Sequence, residues 1–222
     1  MISARKAAFS SFVTTATRLL PTEFHPDVLF APNIISEAEE KSLLQDCEQK
    51  LALKRKYEGN HFDSVIKDYK EIELPFQKWS QPNQEIIARL IQTAIETSGL
   101  QRETSFLPPH VIELKESTGE ILPHVDSKDF GGKIVASLSL HSARTLKITP
   151  PPTNYIEEDD KKFAESASAL SKIFEFEVPP RSFYILKDFA RYHLAHAISS
   201  GSQKRISIIL RDEPELPEWM KL

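Results

Sequence analysis

The sequence predicts a mainly β protein with helices near its amino end. Before residue 100, two stretches place apolar residues at helical spacing, which is the pattern of amphipathic helices. After Pro109, seven short apolar stretches are separated by turn residues, which is typical of a sandwich or barrel. Residues 1–22 differ from both regions in composition.

Residues 1–22 contain three basic residues and no acidic one, and their apolar residues recur at roughly helical spacing. An amphipathic, basic and acid-poor segment is typical of a mitochondrial transit peptide. An ordinary N-terminal helix or a disordered leader would share these features. We expect residues 1–22 to be a transit peptide.

Residues 23–108 are expected to form a helical support and lid region. They begin with a short extended segment at residues 29–35. Ser36, followed three residues later by Glu39, forms the capping box that commonly starts a helix. The apolar spacing that follows predicts a helix running to about Lys54.

A second helix is predicted from about Gln84 to Gly99. Its apolar residues recur at helical spacing, and glycine is the residue that most readily adopts the left-handed conformation at a helix end. Residues 57–80, between the two helices, mix aromatic and charged residues without a clear period. They predict an irregular segment or a short hairpin.

Residues 109–222 are expected to form the β-rich core. Alternating apolar and polar residues bounded by turn residues indicate half-buried strands. The predicted strands are 110–116, 133–141, 145–149, 172–178, 182–187, 190–198 and 204–211. Residues 150–171 begin with three prolines and are polar, which predicts a surface loop that is partly helical.

Composition narrows the function classes. The chain has 222 residues and a net charge of −4, so no strong field of the whole protein attracts nucleic acid, although a local basic patch is compatible with this value. No apolar run reaches the roughly 18 residues of a membrane span. Cys47 is the only cysteine, which excludes an internal disulfide and a thiolate cluster. A metal would therefore need His and carboxylate ligands.

His124 and Asp126 are candidate metal ligands. With one residue between them, their side chains emerge on the same face of an extended chain, roughly 7 Å apart at the backbone. A third ligand must come from another strand, and His196, in an apolar strand, is the candidate. Two His and one carboxylate leave three open positions on iron(II), which suits an enzyme that binds a chelating cosubstrate and oxygen.

A second His-x-Asp pair, His61 and Asp63, shows how often this spacing arises by chance. It lies in the irregular region, and no later His occupies a matching position. We assign this pair to the structure or to a lid and not to a metal site.

Arg205 and Arg211 lie six residues apart on the last predicted strand, so both side chains face the same side. An arginine directed into a sandwich needs an anionic partner, because an unpaired buried guanidinium is very costly. A dicarboxylate supplies that partner through bidentate hydrogen bonds. Two surface arginines on an edge strand are the alternative.

The order of these motifs resembles the AlkB family of 2-oxoglutarate (α-ketoglutarate) dioxygenases, and above all a mitochondrial member of it. The resemblance covers about residues 28–212. The segments that carry it are 60–66, 123–127, 182–186, 190–192 with His196, and 205–211.

The resemblance implies a double-stranded β-helix (jelly roll) that uses Fe(II), 2-oxoglutarate and molecular oxygen. It makes His124, Asp126 and His196 the metal ligands. It also implies that Arg205 binds the distal carboxylate of 2-oxoglutarate, that Arg211 lies near its metal-bound end, and that Tyr184 contacts it. The same pattern selects His196 over His193, which strand parity places on the opposite face.

One departure from the family concerns the substrate. The Asn-x-Tyr motif that many members carry before His-x-Asp is absent, since residues 111–115 read Val-Ile-Glu-Leu-Lys. No cluster of aromatic and basic residues resembles a lid that grips nucleotides. A protein- or metabolite-directed dioxygenase is therefore the first interpretation. A nucleic-acid N-methyl demethylase acting on mitochondrial RNA and a non-catalytic binding regulator are the alternatives.

The resemblance also implies a cellular context. It predicts a monomer in the mitochondrial matrix, with a role in regulating fatty-acid metabolism or programmed necrosis.

Overall fold

A computed structural model describes residues 26–151 and 173–214 of the chain. The helices in these ranges are α1 (Glu37–Leu51), α2 (Gln81–Ser98) and α3 (Asp188–His193). The strands are β1 (Val28–Ala31), β2 (Glu58–Asn60), β3 (Ile66–Glu73), β4 (His110–Leu114), β5 (Glu120–His124), β6 (Ile134–Leu140), β7 (Arg144–Thr149), β8 (Phe174–Val178), β9 (Phe183–Lys187), β10 (Ala195–Ile198) and β11 (Arg205–Arg211). The predicted transit peptide and most of the predicted loop at 150–171 lie outside the described residues.

The strands form one antiparallel sheet in the order β1-β9-β6-β11-β4-β3-β5-β10-β7-β8, with β2 paired to β3. The sheet curls until its two end strands meet, since the rings of Phe30 on β1 and Phe176 on β8 are 5.2 Å apart. The prediction of a mainly β fold with preceding helices is confirmed.

The two faces of the sheet bury different side chains. On β6, Ala136 and Leu138 pack with α1 and α2 in one core, whereas Ser137 and Ser139 point the opposite way. The same alternation on β11 places Ile206 among the helices and its neighbours on the concave face. The concave face therefore carries polar groups inside a mostly apolar barrel.

The capping box predicted for the first helix is present at α1. Ser36 Oγ accepts a hydrogen bond from the backbone nitrogen of Glu39, and a Glu39 carboxylate oxygen accepts one from the backbone nitrogen of Ser36. The predicted glycine at the end of α2 is also confirmed, because Gly99 adopts a left-handed conformation with φ 70°. On the buried side of α1, Cys47 is completely enclosed, and burial raises the pKa of its thiol.

The Ser36→Ala variant should lower the free energy of unfolding by about 1 kcal/mol, because it removes one half of the capping box. Ser80 is the matched control, since it occupies the N-cap of α2 without a side-chain cap hydrogen bond. Urea unfolding of both variants measures the difference. Equal losses for Ser36→Ala and Ser80→Ala would contradict the prediction.

The prediction of a continuous strand at 190–198 is wrong. Residues Asp188–His193 form α3, and only Ala195–Ile198 form β10. His193 consequently ends a helix and does not face away from His196 on a shared strand. The helix forms because Arg191 and Tyr192 reach back to the loop after β5, and these contacts override the strand propensity of the aromatic residues.

Strand β5 was not predicted, and strands β2 and β3 were predicted only as one of two alternatives. The region 57–80 contains the hairpin β2–β3, the second of the two forms expected for it. In β3 the alternation is broken at Asp68, which has a φ of 47° and shifts the buried positions to Ile66 and Tyr69. Strand β5 is short and mixed in composition, and only its last residue, His124, stood out in the sequence, as a candidate metal ligand.

The division of the chain at residues 108 and 109 stays a prediction. Strands β1 to β3, from the first part, belong to the same sheet as the later strands. Among the described residues, no helix combines the length and the apolar character needed to cross a membrane.

Candidate active site

The three predicted metal ligands converge inside the curled sheet. His124 and His196 lie opposite each other in the β5–β10 ladder, and their ring centroids are 4.3 Å apart. Asp126 follows β5 directly and turns back between them, with carboxylate oxygens 3.2 Å from His124 Nε2 and 3.8 Å from His196 Nε2. One ligand atom from each of the three lies within 4.8 Å of the other two.

The orientation of His124 is set by the backbone. Its Nδ1 lies 2.8 Å from the carbonyl oxygen of Leu122, which can only accept a hydrogen bond. Nδ1 therefore carries a proton. Nε2 lies 3.2 Å from an Asp126 oxygen and donates to it when the ring is protonated, whereas in the neutral ring Nε2 has the lone pair that a metal would use. A fixed tautomer of this kind is the usual preparation of a metal-binding imidazole.

Burial and charge act in opposite directions on the three side chains. Burial alone would raise the pKa of Asp126, but the hydrogen bond from His124 and the charges of His196, His124 and Arg191 hold it well below its usual range. Burial lowers the pKa of His196 to about 3, with a further contribution from His124. Burial is the largest single effect on His124 and would lower its pKa, but the hydrogen bond and charge of Asp126, with the Leu122 carbonyl and the charge of Asp63, together raise it.

Arg205 is 1% exposed and starts β11 on the concave face. Its Nε donates to Ser139 Oγ at 3.2 Å, and its Nη2 is buried without a hydrogen-bond partner among the described residues. In the described parts of the chain, no carboxylate lies within ion-pair distance of this guanidinium. Burial lowers the pKa of Arg205, and the nearby Tyr184 opposes that effect. Arg205 is thus a buried cation prepared for an anion that the described residues do not provide.

Tyr184 belongs to the same polar group. It is buried on β9, directly opposite Ser137 of β6. Ser137 Oγ is the second buried polar atom here without a partner among the described residues. In the sequence, Tyr184 was identifiable only through the resemblance. Ser137 and Ser139 were not predicted to belong to the site, although they alternate with apolar residues along β6.

Arg211 ends β11, at the end of the strand opposite Arg205. Its stem packs against Gly131, where a Cβ would lie 3.2 Å from Arg211 Cδ. Its Nη2 lies 3.4 Å from His110 Nδ1, and the other ring nitrogen of His110 lies 2.9 Å from a Glu71 oxygen. The role of His110 was not predicted, since it depends on the pairing of β3 with β4.

The second His-x-Asp pair lies near the first. His61 Nδ1 lies 2.7 Å from Asp63 Oδ1, and the negative charge of Asp63 contributes to the raised pKa of His124. In the described part of the chain, the only cluster with metal-binding geometry is that of His124, Asp126 and His196. That His61 and Asp63 hold no metal of their own stays a prediction.

Comparison with known proteins gives relatives of high coverage, among them a bovine protein and a mouse protein of the same name. No protein-family model matches the chain. The alpha-ketoglutarate-dependent dioxygenase alkB homolog 7, mitochondrial, of Bos taurus is 32% identical over 197 residues, which cover 83% of this chain and 77% of the relative.

Solved structures are similar in fold at much lower identity. A prolyl hydroxylase of Trichoplax adhaerens, solved with a hypoxia-inducible factor peptide, has a TM-score of 0.64 at 11% identity, covering 95% of this chain and 92% of that one. The structure of OsALKBH1 has a TM-score of 0.59 at 12% identity, covering 85% and 99%. These likenesses confirm the jelly-roll prediction. By its identity to the bovine relative over most of both sequences, the chain belongs to the AlkB family of α-ketoglutarate-dependent dioxygenases.

Proposed function

We propose that His124, Asp126 and His196 hold Fe(II), and that Arg205, Arg211 and Tyr184 bind 2-oxoglutarate. Membership of the family makes the chain an Fe(II)- and 2-oxoglutarate-dependent dioxygenase. The observation that carries the residue assignment is the convergence of two imidazoles and a carboxylate from separate strands on one point inside the barrel.

The donor set fits iron(II). Two imidazole nitrogens and one carboxylate oxygen occupy one face of an octahedral ion and leave three positions open. His124 and His196 fix two of these donors from neighbouring strands of a hydrogen-bonded ladder. Asp126 contributes the negative charge that a divalent cation favours in a buried site.

The polar group on the concave face fits 2-oxoglutarate. The distal carboxylate of 2-oxoglutarate would give the buried Arg205 Nη2 a hydrogen-bond acceptor, and Ser137 Oγ offers it a further hydrogen bond. The hydroxyl of Tyr184 stands on the same face of the sheet. Arg211, at the opposite end of β11, lies on the face of Arg205 and is assigned to the metal-bound end of the cosubstrate.

Bound iron and 2-oxoglutarate supply the oxidising power: oxygen hydroxylates a C–H bond of the substrate while the cosubstrate is converted to succinate and carbon dioxide. The side chains of this chain would hold the iron and the 2-oxoglutarate in fixed relative positions and keep water out of the space between them. As metal ligands, His124 and His196 would be neutral, each offering a ring-nitrogen lone pair to the ion.

The substrate that we propose is a protein or a small metabolite. Three acidic side chains of the β2–β3 hairpin lie close enough to Tyr69 for their charges to act on it, and the charge of Asp63 also acts on the proposed ligand His124. They are Glu58, Asp63 and Glu71. Negative charge at this position repels the phosphates of a nucleic acid. The alternative of an N-methyl demethylase acting on mitochondrial RNA is favoured only by the family, and a non-catalytic regulator would have no need for the convergent ligand set.

Substrate class is tested by succinate release from 2-oxoglutarate with Fe(II). We expect tryptic peptides or a small-metabolite fraction of mitochondria to raise the rate above the uncoupled level, and an N-methylated RNA oligomer to leave it unchanged. Fluorescence anisotropy should show no RNA binding that weakens between about 50 and about 200 mM salt, because such a salt dependence indicates contacts with phosphates. Formaldehyde release from the RNA that disappears in His124→Ala would establish the demethylase instead.

The cellular context follows the relative, which is named mitochondrial. We place this chain in mitochondria as well, and specifically in the matrix, where 2-oxoglutarate is produced. A monomer is proposed because the site is built from residues of a single chain. Roles in fatty-acid metabolism or programmed necrosis stay predictions from the resemblance.

A further inference from the structure

Arg191 is a buried arginine whose guanidinium contacts one loop. It lies on α3 and is 2% exposed. Its Nη1 donates to the carbonyl oxygen of Asp126 at 2.7 Å. Its Nη2 donates to the carbonyl oxygens of Ser127 at 3.0 Å and Gly131 at 3.2 Å. We call residues 126–132 the ligand loop, because they begin with the proposed metal ligand Asp126.

The far end of the ligand loop is also held by side-chain hydrogen bonds. Tyr192, the next residue of α3, donates its hydroxyl to the carbonyl oxygen of Gly132 at 3.1 Å. The Asp212 carboxylate accepts hydrogen bonds from the backbone nitrogens of Lys133 and Ile134, both at 2.9 Å. A Cβ at Gly132 would overlap that carboxylate. Two neighbouring side chains of α3 therefore fasten one loop at both of its ends.

Helix α3 directly precedes the strand that carries another proposed ligand. The helix ends at His193, and β10 follows at once with the proposed ligand His196. Arg191 thus connects the loop that carries one proposed ligand to the segment that carries another. The sequence between Asp126 and Arg191 is long, so this connection is tertiary and fixes the two ligands relative to each other.

The chemistry of the contact requires an arginine. Three carbonyl oxygens are reached by the two terminal nitrogens of one planar guanidinium, whose donors have a fixed geometry. A lysine ammonium has three donors on a single atom and cannot span the same spread of acceptors. A substitution that keeps the charge would therefore lose the geometry.

We propose that Arg191 is a positioning residue that holds the ligand loop so that the Asp126 carboxylate points between His124 and His196. The inference rests on the proposed function, since it presumes that these three side chains bind a metal. Without the guanidinium, the Asp126 carbonyl is released and the carboxylate loses its fixed direction.

Cobalt(II) titration of the cosubstrate-free protein, followed by visible absorption, tests this role without any turnover. We expect Arg191→Lys to bind cobalt about 10- to 100-fold more weakly than the wild type, the range seen when a partner outside the ligand set is lost. Arg144→Lys is the matched control. Arg144 is also buried, at 4% exposed, and it donates to the carbonyl oxygen of Gln203, away from the ligand loop.

The outcomes separate this inference from the proposed function. Unchanged cobalt affinity in Arg191→Lys, or an equal loss in Arg144→Lys, overturns the positioning role and leaves the metal site standing. A wild type that binds cobalt no better than His124→Ala overturns the metal site itself. If circular dichroism shows Arg191→Lys to be unfolded, Tyr192→Phe decides: weaker cobalt binding supports the role of the α3 contacts, and wild-type binding refutes it.

Discussion

The His196→Ala variant is expected to lose Fe(II) binding and to release no succinate above background. His196 supplies one of three donors, and a cation held by the remaining two keeps neither its position nor the geometry that leaves three sites open. The fall in metal affinity should exceed the roughly 10- to 100-fold effect of removing a partner outside the ligand set. Iron binding by titration and succinate by coupled assay measure the two effects.

The chain offers two matched controls for this variant. His193→Ala removes an imidazole three residues away that packs on the ring of Phe189, 5.0 Å between centroids, and belongs to α3. His61→Ala removes the imidazole of the second His-x-Asp pair. Both should keep iron binding. Loss of binding in either control to the same extent as in His196→Ala would refute the assignment of the third ligand.

Replacing Arg205 by methionine should weaken 2-oxoglutarate binding by at least about 30-fold, corresponding to the lower end of the roughly 2–5 kcal/mol that loss of a buried charge partner costs. The stability of the cosubstrate-free protein should move the other way. Because the guanidinium is buried without a carboxylate among the described residues, its removal is expected to be neutral or to raise the free energy of unfolding by about 1–4 kcal/mol.

These opposite changes identify a ligand-binding charge. Isothermal titration of the metal-loaded protein gives the affinity, and urea unfolding without 2-oxoglutarate gives the stability. Arg89→Met is the control, since Arg89 lies on α2 and pairs with Glu39 at the surface. It should leave the affinity for 2-oxoglutarate unchanged. A destabilised Arg205→Met protein with wild-type affinity would show that Arg205 serves the fold and not the cosubstrate.

The extent to which the sequence predicted the fold depended on the regularity of each element. Strands β6 and β11 were predicted because apolar and polar residues alternate over most of their length, and the parity argument for Arg205 and Arg211 holds in the structure. Strand β3 was predicted only within a hairpin that was one of two alternatives for residues 57–80, because the positive φ of Asp68 displaces its buried positions from the usual period. A backbone irregularity of this kind leaves no pattern in the order of apolar residues.

The residues of the candidate site also differ in how readily the sequence identifies them. His124, Asp126 and His196 were identifiable because metal binding requires particular side chains, which the sequence names directly. Arg191 was hidden because its partners are backbone carbonyls, which every residue carries, and because α3 has the composition of a strand. Contacts of that type become visible only when the loop and the helix are placed together.

The seclusion of Cys47 has a consequence for an enzyme that handles oxygen and iron. Reactive oxygen species formed when oxygen is activated without a substrate attack exposed thiolates first. Here the sole sulfhydryl of the chain, that of Cys47, lies on the buried side of α1, and burial opposes its deprotonation. The native protein therefore presents no cysteine to its own by-products, and oxidative damage from idle turnover must fall on other side chains.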